Sequence, residues 1–144
     1  MAVARTIEDL TAYQLAVTLR DEILRLTTSG PSSRDFDYRD QIRDAARSAT
    51  RNLAEGFSRF KPREFANLAR IALGSLGEVI DQLKDGRKQG YFPEDDAQRL
   101  ISLAQRAAGA TRGLLRYLDS CKGQAPTGWD AASAQSRTKR EPKP

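Results

Sequence analysis

Apolar residues recur along this chain at steps of three and four, the spacing that gathers side chains on one face of a 3.6-residue helix. The pattern is densest between residues 41 and 83. Ile42, Ala45, Ala46, Ala49, Leu53 and Phe57 form one stripe, and Phe65, Leu68, Ala69, Ala72, Leu76, Val79 and Leu83 form the next, widened by Ile71 and Ile80. Upstream, Leu10, Tyr13, Val17 and Leu24, with the companion row Ala12, Ala16, Leu19, Ile23 and Leu26, predict a helix that opens on a Thr6 cap followed by Glu8 and Asp9. Downstream, Ala97, Leu100, Ile101, Ala104, Ala107, Ala108, Thr111, Leu114, Leu115 and Leu118 make the most heptad-like stripe. No stretch alternates with the period of a strand.

Breaker residues bound these segments. Thr28 to Ser33, with Gly30-Pro31 at its centre, ends the first helix, and Gly56 is placed at or beside the C-terminal cap of the second. Pro62 suits the first position of the third helix, which Gly90 caps, with Tyr91-Phe92 folding back as an apolar plug. Pro93, Glu94, Asp95 and Asp96 open the fourth, and Gly123 closes it. Helices over about 7–28, 35–57, 62–89 and 93–122, joined by short loops, predict an all-α fold: an antiparallel up-down-up-down four-helix bundle over 1–123. Residues 124–144 have three prolines, no apolar periodicity and a basic end of Arg137, Lys139, Arg140 and Lys143, which predicts a disordered basic tail. Trp129, the single tryptophan, is either solvated with that tail or anchors it to the bundle or a partner. Gly74 and Gly77 stand inside the third helix, where each costs about 1 kcal/mol relative to alanine. Close approach of a neighbouring backbone would offset that cost, and a kink is the alternative.

At 144 residues the chain is long enough for one domain with a core that needs no staple. Its net charge of +5 rests on 24 basic residues, of which 18 are arginine. Arginine favours planar, bidentate recognition of phosphate or carboxylate. From 43 to 70 the balance is Arg43, Arg47, Arg51, Arg59, Lys61, Arg63 and Arg70 against Asp44, Glu55 and Glu64, with Arg43, Arg47 and Arg51 in a row at i, i+4 and i+8. Two readings stay open. The row is a solvated face neutralised by Asp40–Arg43 and Asp44–Arg47 pairs at i, i+3, or it binds phosphates, with Phe57 and Phe60 available to stack on bases. With no groove-reading motif, such binding would be salt-sensitive and poorly sequence-specific.

Other chemistry is sparse. The chain has no histidine, which excludes imidazole ligands, triads and the carboxylate–histidine di-iron pattern. A single cysteine, Cys121, makes neither a zinc knuckle nor an intramolecular disulfide, and no phosphate loop or dinucleotide fingerprint occurs. No catalytic residue, metal ligand or cofactor is expected. Glu55 and Glu78, each near an apolar stripe, are the best candidates for acid–base work; against this stands a reading in which each accepts hydrogen bonds from an arginine, a cap or a neighbouring subunit. Without a signal segment or a long uncharged apolar run, the expectation is a soluble, cytoplasmic protein with no membrane contact.

Leu10-x-x-Tyr13-Gln14-x-Ala16, Gln41-Ile42-Arg43-x-Ala45-Ala46-x-Ser48, Asn52-Leu53-Ala54-Glu55-Gly56-Phe57, the Phe65 start, Ala72-x-Gly74-Ser75-Leu76-x-Glu78 and Gly90-Tyr91 together resemble the four-helix-bundle family of proteins encoded in intervening sequences of bacterial 23S ribosomal RNA genes. The likeness covers about residues 6–121. Thr50 departs from it, standing where the family usually has proline, and so does the basic tail. The resemblance implies an antiparallel four-helix bundle assembling as a homopentamer. It also implies similarity to the accessory protein of diversity-generating retroelements, which works with a reverse transcriptase and RNA. The expected function is a non-enzymatic, oligomeric accessory protein that binds RNA or DNA through the seven basic residues from Arg43 to Arg70. The alternative is a structural adaptor whose partner is a protein such as a reverse transcriptase.

Overall fold

A computed structural model describes residues 6–125. A 3-10 turn, Ile7–Asp9, precedes α1 (Thr11–Leu26), α2 (Pro31–Arg34), α3 (Phe36–Arg59), α4 (Pro62–Lys88) and α5 (Glu94–Ser120), and no strand occurs among the described residues. Trp129 and the basic end of the predicted tail lie outside them. α1 and α4 each pack on both α3 and α5, so the principal contacts of the four long helices close a ring. Tyr38 at the start of α3 meets Gln82 near the end of α4, Ser48 meets Ser75, and Phe57 near the end of α3 meets Phe65 near the start of α4. Between the helices lie two apolar clusters. One gathers Leu19, Ile23, Ile42, Leu76, Leu83 and Leu100, and the other Leu53, Phe57, Phe65, Leu115 and Leu118, with alanines along the seams of both.

Where the fold departs from the sequence reading, hydrogen bonding and packing give the reason. The first predicted helix, 7–28, is in two pieces. The Asp9 carboxylate accepts the Thr6 N–H at 3.0 Å, closing the short turn, and Leu10 is extended and packs on the second cluster before α1 starts. The breaker cluster holds one helical turn of its own, because Pro31 is preset for a first helical position. Ser32, fully buried, donates to the Leu26 carbonyl at 3.3 Å and so satisfies one of the free carbonyls at the end of α1.

Asp35 caps α3 by accepting the Tyr38 N–H at 3.2 Å, and α3 runs past Gly56 to Arg59. Gly56 is no cap. It is buried inside the helix, and a Cβ there would overlap the Phe65 ring. The helix ends instead at Phe60, left-handed at φ 56°, with its ring 6.0 Å from that of Phe57. Thr50 does not break α3; it is buried and its hydroxyl donates to the Arg47 carbonyl at 2.9 Å.

The glycine expectation is also corrected. Among the described residues, nothing apart from the adjoining backbone of α4 itself lies within 4 Å of a Cβ built on Gly74 or Gly77, and α4 runs through both. The close approach is at Gly86, where a Cβ would overlap the Tyr38 hydroxyl and the Phe92 ring. The bare backbone admits Tyr38, whose hydroxyl donates to the Gln82 carbonyl at 2.6 Å. α4 then ends as expected at Gly90 (φ 71°): the Tyr91 N–H donates to the Gly86 carbonyl at 2.9 Å and the Gly90 N–H to that of Arg87 at 3.2 Å. This folds Phe92 into the core and brings the Tyr91 ring 4.8 Å from Tyr38, with the Tyr91 hydroxyl donating to Asp35 at 2.5 Å.

Two predictions follow from this end of the molecule. Gly86→Ala overpacks a full site and should cost about 1–3 kcal/mol, whereas in the unassociated chain Gly74→Ala meets open space and should gain about 0.5–1 kcal/mol; urea unfolding of both variants at a protein concentration where sedimentation shows the monomer reads the difference. The second concerns pH. The Tyr91 hydroxyl, and after it the Tyr38 N–H, hold the Asp35 carboxyl below the usual carboxylate range. The Tyr91 hydroxyl is pushed up by its bond to Asp35, and that of Tyr38 first by burial. A lowered carboxylate stabilises above its unfolded pKa and that contribution is lost as pH falls through the folded value; the raised tyrosines contribute below their unfolded pKa and lose it as pH rises. Stability should therefore fall off below about pH 4 and above about pH 10, and Asp35→Asn should flatten the acid side of a thermal-melt series.

Candidate functional site

α3, the Phe60-Lys61 elbow and the first half of α4 carry the seven basic residues singled out by sequence. The fold separates them into three kinds. Arg43 is half-buried and turned back on α1, its Nε donating to the Thr27 hydroxyl at 2.7 Å and a terminal nitrogen to the Leu24 carbonyl at 3.3 Å. It closes the C-terminal end of α1. Arg59 and Arg70 are ion-paired. Arg59 donates to Glu55 at 2.8 Å, and this pairing holds its guanidinium pKa above the ordinary arginine value. Arg70 reaches across to both Asp119 oxygens on α5, at 2.9 and 3.1 Å. Arg47, Arg51, Lys61 and Arg63 are exposed and make no ion pair among the described residues. Arg63 lies over the Gly123 backbone beyond α5, where a Cβ would come within 2.7 Å of its Nε.

The expected Asp40–Arg43 and Asp44–Arg47 pairs are absent. Asp40 pairs with its neighbour Arg39 at 3.1 Å, and Arg43 finds better partners in the terminal groups of α1. The acid–base pair is not assembled either. Glu55 and Glu78 are both exposed on the outer sides of their helices, and Glu55 is held by Arg59. Nor are the two aromatic rings equally open: Phe57 is buried in the core and Phe60 half-buried against it, so only Phe60 offers an edge to a ligand. The Cys121 thiol points to the Tyr117 carbonyl at 3.4 Å. No group of three or more Cys, Asp or Glu able to hold a metal ion occurs among the described residues, and no helix is long and apolar enough to cross a membrane.

Beside Arg51 runs an open groove of about 420 Å³ between α3 and α4, lined by Gln41, Asp44, Ala45, Ser48, Arg51, Ser75 and Glu78. Its floor is a polar ladder. The Ser48 and Ser75 hydroxyls are 2.8 Å apart, the Asn52 amide donates to the Ser48 carbonyl at 2.8 Å, and the Gln82 amide donates to Gln41 at 3.4 Å. Gln82 Oε1 is buried and has no hydrogen-bond partner. Thus Gln41, Ser48, Asn52, Ser75 and Glu78, distributed over 38 positions of sequence, meet on one side of the molecule.

Sequence reasoning missed a further set. Arg106, Arg112 and Arg116 on α5 are exposed and make no ion pair among the described residues. The signal was present, since positions 97–118 contain no acidic residue, but the heptad-like apolar stripe drew the reading of this segment. For Arg43 the test is energetic: Arg43→Gln should lower stability by about 1 kcal/mol through lost bonds to α1, and Arg51→Gln, which loses no such bonds, should leave it nearly unchanged, as urea unfolding of the two variants reads.

A comparison with protein families matches residues 8–112 to the model described as 23S rRNA-intervening sequence protein. A search of curated proteins finds no match.

Proposed function

The chain belongs to the 23S rRNA-intervening sequence protein family, and from that premise we propose that it is a non-enzymatic, nucleic-acid-binding accessory protein of the cytoplasm whose four long helices form an antiparallel up-down-up-down bundle. The observation that carries this reading is the set Arg47, Arg51, Lys61 and Arg63, four exposed cations along α3, the elbow and the first turn of α4 that make no ion pair among the described residues. An arginine engaged by a carboxylate has its charge largely neutralised; an unpaired one keeps its full charge and its fork for phosphate oxygens. Arg59 and Arg70 are available only by exchange of a carboxylate for a phosphate, and Arg43 is excluded from the site by its bonds to α1. RNA or DNA duplex would satisfy this surface equally, since phosphate contacts carry no sequence information.

Self-association is part of the proposal, with a homopentamer as the form that the family resemblance implies. Ile71, about half exposed, sits with Gly74 and Gly77 on a side of α4 that nothing among the described residues covers. Two glycines that find no close neighbour within the chain still cost helix stability, and a second copy packed over them supplies the contact. Repetition of the cationic surface around an assembly would raise avidity without a new contact.

A second reading rests on the groove. With Asp44 and Glu78 beside Arg51 and amide and hydroxyl groups on its floor, it suits a polar protein surface, such as that of a reverse transcriptase, better than a phosphate chain. The test is a binding titration of labelled RNA hairpin and DNA duplex against the protein and its Arg47→Glu/Arg51→Glu/Lys61→Glu/Arg63→Glu variant. Affinity should fall and the salt slope should shrink by about one unit for each lost contact, with helical content unchanged. Unchanged affinity would remove this surface as the site and leave the protein-partner reading in front.

A further inference from the structure

The geometry points to a second phosphate-binding surface on the outer side of α5, on the far side of the core from Arg47 and Arg51 of the first, so that one chain holds two nucleic-acid segments at once. The inference rests on the nucleic-acid reading above and adds to it a separate site and a bridging activity. α3 and α5 are each packed on α1 and α4 and share no principal contact with one another, which puts the outward-facing residues of α3 and of α5 on opposite sides of the molecule.

The α5 surface has its own structure. Gly109-Ala110-Thr111-Arg112 is followed at once by Gly113-Leu114-Leu115-Arg116, so a Gly-x-x-Arg unit is repeated with a period of four. In each unit the arginine folds back along the helix toward its glycine: the nearest atom to a Cβ built on Gly109 is a terminal nitrogen of Arg112 at 3.9 Å, and on Gly113 one of Arg116 at 3.7 Å. The two forks therefore lie low along the helix, about 6 Å apart at 1.5 Å rise per residue, over backbone that carries no Cβ. Arg106 continues the exposed basic surface toward the N-terminus of α5. The glycines let an approaching sugar–phosphate chain come close, and the arginines meet it with unspent donors. Acids on α5 are confined to its first turn and to Asp119, which Arg70 already holds; between them nothing repels a polyanion.

The occupant is a nucleic-acid backbone and not an acidic protein, because the surface supplies cations, small residues and no apolar anchor. Leu114 and Leu115, the large apolar residues of the repeat, are turned toward the second core cluster. A protein interface of useful affinity is organised around a buried aromatic or aliphatic anchor, whereas phosphate docking needs only spaced cations and close approach.

The experiment uses the full chain and two RNA duplexes of the same sequence, one carrying a fluorescence donor and one an acceptor. Energy transfer between them on addition of protein reports bridging, and anisotropy of either duplex reports binding. Arg106→Gln/Arg112→Gln/Arg116→Gln should abolish energy transfer, while anisotropy shows the first duplex still bound with an affinity within about twofold, because the α3 contacts remain and only the α5 phosphate contacts are lost. The matching Arg→Lys variant keeps the charges and should retain bridging, which separates a charge effect from a folding effect. Sedimentation of each variant checks that the assembly state is unchanged. Energy transfer that survives the Gln variant at unchanged assembly state would overturn the inference, since bridging would then come from repeated copies of the α3 surface. Failure of the reading beneath it has a different signature: loss of anisotropy with the α5 variant together with unchanged binding by the α3 and elbow variant.

Discussion

The structure depends on helices that meet through small residues. Ala45, Ala46 and Ala49 on α3, Ala69 and Ala72 on α4, and Ala97, Ala104, Ala107 and Ala108 on α5 are all buried, and Ser48 and Ser75 bond where α3 and α4 face each other. Seams of this kind draw backbones together and leave little room for error, since interiors are packed as densely as organic crystals. Large residues enter where a glycine makes room: Phe65 against Gly56 and Tyr38 against Gly86. One consequence reaches the surface. A narrow seam has no space for the long stems of arginine, so these side chains must run along the outer faces, as Arg47, Arg51, Arg106, Arg112 and Arg116 do.

Charge pairing then sorts the cations. Surface ion pairs add little to stability, yet they decide which guanidiniums remain open to a ligand. Arg99 is shared between Glu22 on α1 and Asp96 on its own helix, Arg87 is bonded to Glu94 at 3.1 Å, and Arg70 to Asp119. These pairs tie neighbouring segments together and leave three arginines open to an external anion only by exchange of a carboxylate. Among the arginines of the long helices, those left exposed and without an ion pair among the described residues are Arg47 and Arg51 on α3, Arg63 at the start of α4, and Arg106, Arg112 and Arg116 on α5, so basic surface is a residue of structural pairing and cannot be read from a count of arginines.

Much of the fold was legible because its signals are local. Periodicity located the four long helices, and Pro62, the Gly90 ending and the Tyr91-Phe92 plug all lie where turn and cap chemistry put them. The errors share one cause, which is that glycine and arginine take their meaning from tertiary neighbours. Gly56 looks like a cap in sequence and is a packing site because Phe65 lies on it; Gly74 looks like a packing site and has nothing over it. Arg43 belongs to a helical row by spacing and to the end of α1 by contact, since Thr27 and Leu24 are brought to it by a turn that spacing does not encode. The α5 arginines were visible as an acid-free run, but only the arrangement of helices around the core puts them on the side opposite α3.

That arrangement also constrains how copies of the chain can meet in the proposed assembly. Two arginine faces brought together would oppose like charges, which costs affinity and disfavours that register. The outer side of α4 near Ile71 has a different character: Gly74 and Gly77 are open, Glu78 and Asp81 follow within a turn, and the apolar Ile71 stands exposed among them. A partner presenting a cation, such as Lys84 or Lys88 of another copy, finds complementary charge there and an apolar contact to bury. Self-association over α4 would leave the α3 and α5 faces directed outward, so the same geometry that keeps copies from meeting through their arginines keeps those arginines available to a polyanion.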